Sequence, residues 1–321
     1  MTRSMHVVTD ALDIAFECQG PERGWPVILL HGFPYDVRSY DEVALELAGR
    51  GAYVVVPYLR GYGLTRFVDG NRVRSGQQAA LAHDLRDLII GSGLDQPIVT
   101  GFDWGGRAAC IVAMLWPELV AGLVTIGGYN VHDIRAMSST PEPPHIESRN
   151  WYQWYFHSER GRQGLIQNRC EIARQLWCEW SPNWAFDDAT FRRTAGSFTN
   201  PDFVDVVVHS YRHRYGLSAG DPEYEESEQV IAGAPPITVP AVVIDPTADP
   251  ILEPLPTRTE HASHFTQLVD HRLVPQPDAS VRSRQPVPRP AGLYVVGRQF
   301  DLQLRVEAAV DDGVEEHLAD D

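Results

Sequence analysis

Between residues 26 and 128 short apolar runs alternate with longer segments whose apolar positions recur at helical spacing. Pro26-Val27-Ile28-Leu29-Leu30 is apolar throughout, as a strand buried on both faces should be. Ala52-Tyr53-Val54-Val55-Val56-Pro57, the run from Pro97 to Phe102 and the run from Val120 to Gly128 read the same way. Helical spacing falls between them over 39–50, 77–90 and 107–116. The rhythm predicts an α/β fold, with a mainly parallel sheet and helices on both faces. Residues 6–18 alternate and break like a two-strand hairpin ahead of it, and Pro21 to Gly24 is a turn.

At His132 the rhythm stops. Residues 132–236 are rich in Trp, Tyr, His and Arg at helix-like spacing, which predicts an inserted helical cap. Ala241-Val242-Val243-Ile244-Asp245 resumes the strand pattern, and a helix (about 257–268) and a strand (271–274) are expected after it. The core is therefore read as 1–131 and 237–275. Residues 276–321, proline-rich and then acidic without period, are an atypical tail.

Composition narrows the classes. With 43% hydrophobic residues in 321, the chain can build a packed core. A formal charge of −16 disfavours nucleic acid and anionic membrane as partners. No run of about 18 apolar residues is present, and no apolar leader follows Met1, so a cytoplasmic protein is expected. Cys18, Cys110, Cys170 and Cys178 form no Cys-x-x-Cys pair and read as reduced, buried thiols. No metal-ligand spacing such as His-Glu-x-x-His occurs, and neither metal nor cofactor is expected.

The candidate chemistry lies in Gly101-Phe102-Asp103-Trp104-Gly105-Gly106, between a predicted strand and a predicted helix. Strand, sharp turn and helix make the setting of a nucleophile elbow, and the flanking glycines relieve its crowding. Asp103 stands at the tip. A carboxylate is a poor catalyst for opening esters, because attack on a carbonyl gives an anhydride. It suits displacement at a saturated carbon, which leaves an alkyl ester on the enzyme. The plainer reading of Asp103 is a helix cap.

Four motifs in order carry a resemblance: His31-Gly32-Phe33-Pro34, Arg60-Gly61-Tyr62-Gly63, the Asp103 elbow and an acidic turn ending at Asp249. The chain resembles the α/β-hydrolase superfamily over about residues 25–275. Within it, it resembles the epoxide hydrolase and haloalkane dehalogenase branch. Trp151-Tyr152-Gln153-Trp154-Tyr155-Phe156 is similar to the epoxide hydrolase segment that supplies one cap tyrosine, and Tyr211 lies where a second is expected.

The resemblance implies that Asp103 opens an epoxide while Tyr152 and Tyr211 give the ring oxygen a proton. It implies an oxyanion hole from the backbone N–H groups of Phe33 and Trp104, an orienting role for Asp249, and a small apolar substrate. Tyr155 and Tyr215 are the neighbouring alternatives for the tyrosines, and packing is the plainer use of all four. Phe33 and Trp104 stand where halide-handling relatives carry Asn and Arg, which favours epoxide over halide.

One part of the pattern is absent. The family's general-base His belongs in a Gly-His turn near Gln276 to Ser280, and no His stands between His271 and His317. His261, His264 and His271 read as surface residues rather than bases. A hydrolase-fold protein that binds an apolar molecule without turning it over is thus the alternative of another class.

Overall fold

The computed structural model describes residues 2–247, 249–250 and 258–274. Among the described residues nine strands form one sheet: β1 (Arg3–Val8), β2 (Leu12–Gln19), β3 (Pro26–Leu30), β4 (Tyr53–Pro57), β5 (Arg66–Phe67), β6 (Ile98–Phe102), β7 (Gly122–Ile126), β8 (Ala241–Pro246) and β9 (Leu268–Val274). Their order is β1-β2-β4-β3-β6-β7-β8-β9, with β5 paired to β2. The hairpin β1–β2 and the β2–β4 pair are antiparallel, and every pair from β4 to β9 along this order is parallel. The residues of β6 and β7 are all buried, which is why their sequences are apolar without alternation.

Helices α1 (Asp41–Gly49), α2 (Gln78–Ser92) and α3 (Asp103–Leu115) connect the first parallel strands. Between β7 and β8 lie α4 (Ile134–Ser139), α5 (Pro144–Arg149), α6 (Trp151–His157), α7 (Glu159–Trp180), α8 (Asp188–Ala195), α9 (Phe203–His213) and α10 (Glu225–Ala232).

Three expectations change. The helix expected over 257–268 is only α11 (Arg258–His261). Beyond it the backbone pairs with Ile237, through Ile237 N to His264 O and Thr266 N to Ile237 O, and an extended chain cannot also be helical. Strand β9 starts at Leu268, three residues early. Of the four cysteines only Cys18 and Cys110 are buried; Cys170 is half-buried and Cys178 exposed, because α7 turns them outward. The proposed tail 276–321 lies outside the described residues.

The Arg60-Gly61-Tyr62-Gly63 loop is fixed by its arginine. Arg60 is 1% exposed. Its Nε and Nη2 each donate to Asp84 on α2 at 2.6 Å, Nη1 donates to Ser75 O, and Nη2 reaches Ala80 O. Burial drives Asp84 upward in pKa while Arg60 opposes it. Arg60→Ala leaves that carboxylate uncompensated, and a loss of about 3–5 kcal/mol in urea unfolding is expected. A loss below about 1 kcal/mol would show the pair to be dispensable.

Candidate active site

The site sits where the sheet order reverses. From β3 the chain moves to β4 on one side and later to β6 on the other, so the ends of β3 and β6 face one crevice. Strand β6 ends at Phe102 and α3 begins at Asp103, whose φ is +49°. Such a conformation costs a non-glycine residue about 1–3 kcal/mol and holds its side chain out at the tip. A Cβ on Gly105 would stand 2.1 Å from Leu30 O, and one on Gly101 would stand 2.4 Å from Gly105 C. Only glycine permits these approaches.

From the end of β3, Phe33 N donates to Asp103 Oδ2 at 2.8 Å. Trp104 follows Asp103 in the first turn of α3, where backbone N–H groups have no partner inside the helix. Its indole is buried, and Nε1 has no hydrogen-bond partner among the described residues.

His31 holds the loop in place. Leu59 N donates to His31 Nε2 at 3.2 Å, so the ring proton sits on Nδ1, 3.2 Å from Gly32 O. Burial lowers its pKa to about 4. The unfolded chain therefore binds more protons between about 4 and 6.5, and the His31 contribution to stability is lost as pH falls through that window. Asp36, raised to about 6 by burial, runs the other way and loses its contribution as pH rises from 3.8. His83, also lowered to about 4 by burial, sides with His31 against Asp36, so a urea midpoint that falls below pH 6.5 is expected, with a flatter slope in His31→Gln. Equal slopes would remove His31 from the account.

Above Asp103 stand aromatic side chains of α6 and α9. The rings of Tyr152 and Tyr211 meet edge to face at 5.3 Å. Phe33 stacks on Tyr152 at 6.0 Å and meets Tyr211 edge-on at 5.5 Å. Gln153 Nε2 donates to Tyr152 Oη at 3.0 Å, and Tyr215 Oη donates to Gln153 Oε1 at 3.0 Å. Burial raises the pKa of both Tyr152 and Tyr211, the negative charge of Asp103 raises each further, and Arg214 opposes. Both phenols are protonated at neutral pH.

A cavity of about 480 Å³ opens here. Asp103, Tyr152, Tyr215 and Asp249 line it with apolar walls from Phe33, Tyr35 and Trp180. Tyr211 is buried beside Tyr152 and is not among the lining residues. Tyr155 turns its hydroxyl to Gly164 instead.

Elbow, crevice and sheet order agree with what the chain matches. The alpha/beta hydrolase fold family matches residues 26–173. A Klebsiella pneumoniae protein, solved as a candidate epoxide hydrolase, is 41% identical over 87% of this chain and 90% of its own, with a TM-score of 0.80. The chain belongs to the α/β-hydrolase family. An AB hydrolase superfamily protein of Bacillus subtilis is 29% identical over 68% of the hydrolase and 76% of its own length. Epoxide hydrolase B of Mycobacterium tuberculosis is 32% identical over 44% and 42%. The hydrolase thus spans less than half of that relative's length, and it is an epoxide hydrolase-like enzyme by these likenesses. No helix among the described residues is long and apolar enough to cross a membrane.

The histidines differ from expectation. His261 and His271 are not surface residues: both donate through Nε2 to Asp245 Oδ2 at 3.0 Å, with side chains 1% and 6% exposed. The carboxylate on β8 draws both rings inward from α11 and β9, which sequence spacing does not show. The three ligand atoms lie within 4.8 Å of one another. His261 Nδ1 has no partner among the described residues, whereas a metal-bound ring normally gives its second nitrogen to an acceptor. The cluster reads as hydrogen bonding that ties β9 to β8. His264 is half-buried and stacks on Tyr129 at 4.1 Å.

Among described histidines, His132 and His145 line the cavity. Arg107 Nη2 donates to His132 Nε2 at 2.7 Å, so the other ring nitrogen carries the proton and no lone pair remains for a base. The expected Gly-His position and His317 lie outside the described residues. Two cavity residues were not read from the sequence. Arg107 lies four residues after Asp103, hence on the same face of α3, and that spacing is a usable signal. Arg214 lies three after Tyr211, at the end of α9.

Proposed function

We propose that the hydrolase opens an epoxide through an ester on Asp103 and releases a vicinal diol. One observation carries the reading: an elbow carboxylate and a buried, protonated Tyr152 line the same cavity. Asp103 Oδ attacks a ring carbon, the C–O bond breaks, and the ring oxygen takes a phenol proton from Tyr152, with Tyr211 supporting it. Gln153 already donates to Tyr152 Oη, which leaves the phenol proton for the ring oxygen. In the second half water cleaves the hydroxyalkyl ester, and the N–H groups of Phe33 and Trp104 stabilise the oxyanion. The water's proton leaves through a base oriented by Asp249 and returns to the Tyr152 phenolate left by the first half, which restores the starting state.

The test uses styrene oxide, with an intact mass and a diol assay in parallel. Diol over many turnovers supports the full cycle. A stable adduct of one epoxide on Asp103, without turnover, would limit the protein to the first half-reaction. Neither adduct nor diol, with styrene oxide still bound, would favour a binding protein. A second reading, displacement of halide by Asp103, rests on the elbow carboxylate alone: Trp104 Nε1 has no partner among the described residues, but its buried ring is not among those that line the cavity. Halide release from 1-bromobutane with no action on styrene oxide would favour it.

A further inference from the structure

We infer that the cavity holds the carboxylate of its substrate between Arg214 and Arg107, so that the preferred substrate is an epoxide carrying an acid group. Arg214 caps the end of α9 and is 7% exposed. It lines the cavity, and its Nη2 is buried without a hydrogen-bond partner among the described residues. What covers it is the Tyr211 ring, with Cζ 4.4 Å from the centroid. A face-on aromatic offsets part of the cost of a buried cation but satisfies none of its five N–H donors. A guanidinium whose buried Nη2 finds no partner among the described residues, at the wall of a ligand cavity, suits a planar anion, and a carboxylate matches its fork.

Arg107 supplies the second charge. Its Nε donates to Asn130 O at 3.1 Å and its Nη2 to His132, which fixes the guanidinium at the cavity wall. Asp103 Oδ1 lies 4.0 Å from Nη2. Burial and then the positive charge of Arg214 pull Arg107 down to about 10, so the two cations stand close enough to repel. Neutral His132, between them electrically, adds no anion to relieve it: both arginines lower its pKa. The other acidic residues on the wall are Glu142, which is exposed, and half-buried Asp249. Among the described residues Asp103 reaches Arg107 Nη2 at 4.0 Å and no carboxylate pairs with Arg214, which leaves a place for one more anion. A substrate carboxylate would otherwise repel the Asp103 nucleophile, and the second arginine cancels that penalty.

This identity of the turned-over compound rests on the epoxide reading, but the anion site does not. Binding is measured first with phenylacetate and its neutral isostere phenylacetamide, by tryptophan fluorescence at low salt. Phenylacetate is expected to bind about 10- to 100-fold tighter than the amide. Arg214→Gln should remove that preference while leaving amide binding in place. Arg214→Lys, which keeps the charge and loses the fork, should fall between them and guards against a misfolded Gln variant. Equal binding of acid and amide, or an unchanged preference in both variants, overturns the inference.

The second arm compares 3-phenylglycidate with styrene oxide in the unaltered enzyme. A higher kcat/KM for the glycidate is expected. Turnover of styrene oxide with no gain for the glycidate overturns the inference and leaves the epoxide reading standing. Carboxylate-selective binding with neither epoxide forming an adduct sinks the epoxide reading and leaves the anion site.

Discussion

Asp103→Asn is expected to lower diol formation by about 10⁴-fold or more while the protein stays folded. The amide has the shape of the carboxylate but lacks the charge and the nucleophilic oxygen pair that displace an epoxide oxygen. Its stability should hardly change, for two local reasons. Asn tolerates a left-handed backbone as well as Asp does, and Asp103 has φ +49°. The Asn carbonyl can still accept the hydrogen bond that Phe33 N gives Asp103 Oδ2 at 2.8 Å. Unfolding free energy within about 1 kcal/mol of the parent is therefore expected, and an intact mass should show that the amide survives. Retained turnover in a variant whose mass confirms the intact amide would take the nucleophile role away from Asp103.

Tyr152→Phe should cost on the order of 10²–10⁴ in kcat/KM, the usual range for one general-acid group. The substitution keeps the ring, so the contacts of Tyr152 with Phe33, Tyr211 and Trp180 at 6.0, 5.3 and 5.2 Å persist. What is lost is the hydroxyl and the acceptor that Gln153 uses. Gln153 keeps its bonds to Asn150 Oδ1 at 2.9 Å and from Tyr215 Oη at 3.0 Å, so the one N–H left without a partner adds only about 1–3 kcal/mol of instability, which unfolding measurements separate from a loss of chemistry. Tyr211→Phe should cost no more, because Tyr211 lies behind the cavity wall rather than on it. The double variant should fall well short of the product of the two, since Tyr211, buried against Tyr152 at 5.3 Å, bears on the ring oxygen only through it. Full activity in Tyr152→Phe would reduce these tyrosines to packing.

The α/β architecture and the elbow were legible along the chain because both are local. Apolar runs of five residues, helical spacing between them and glycines around Asp103 each act within a few residues, and the observed strands and α3 follow them. The placement of Phe33 against Asp103 was legible in part, as motif order. Tertiary structure alone decided the rest. Asp245 gathers His261 and His271 from 16 and 26 residues away and buries residues that their own surroundings mark as exposed. Arg60 finds Asp84 across 24 residues, so a loop motif becomes a buried ion pair. Arg107 and Arg214 come from a core helix and a helix of the β7–β8 segment to one cavity, on a chain of formal charge −16. Overall charge counts residues, whereas the charge at a site depends on which few are shut away from water together, and only the folded packing sets that.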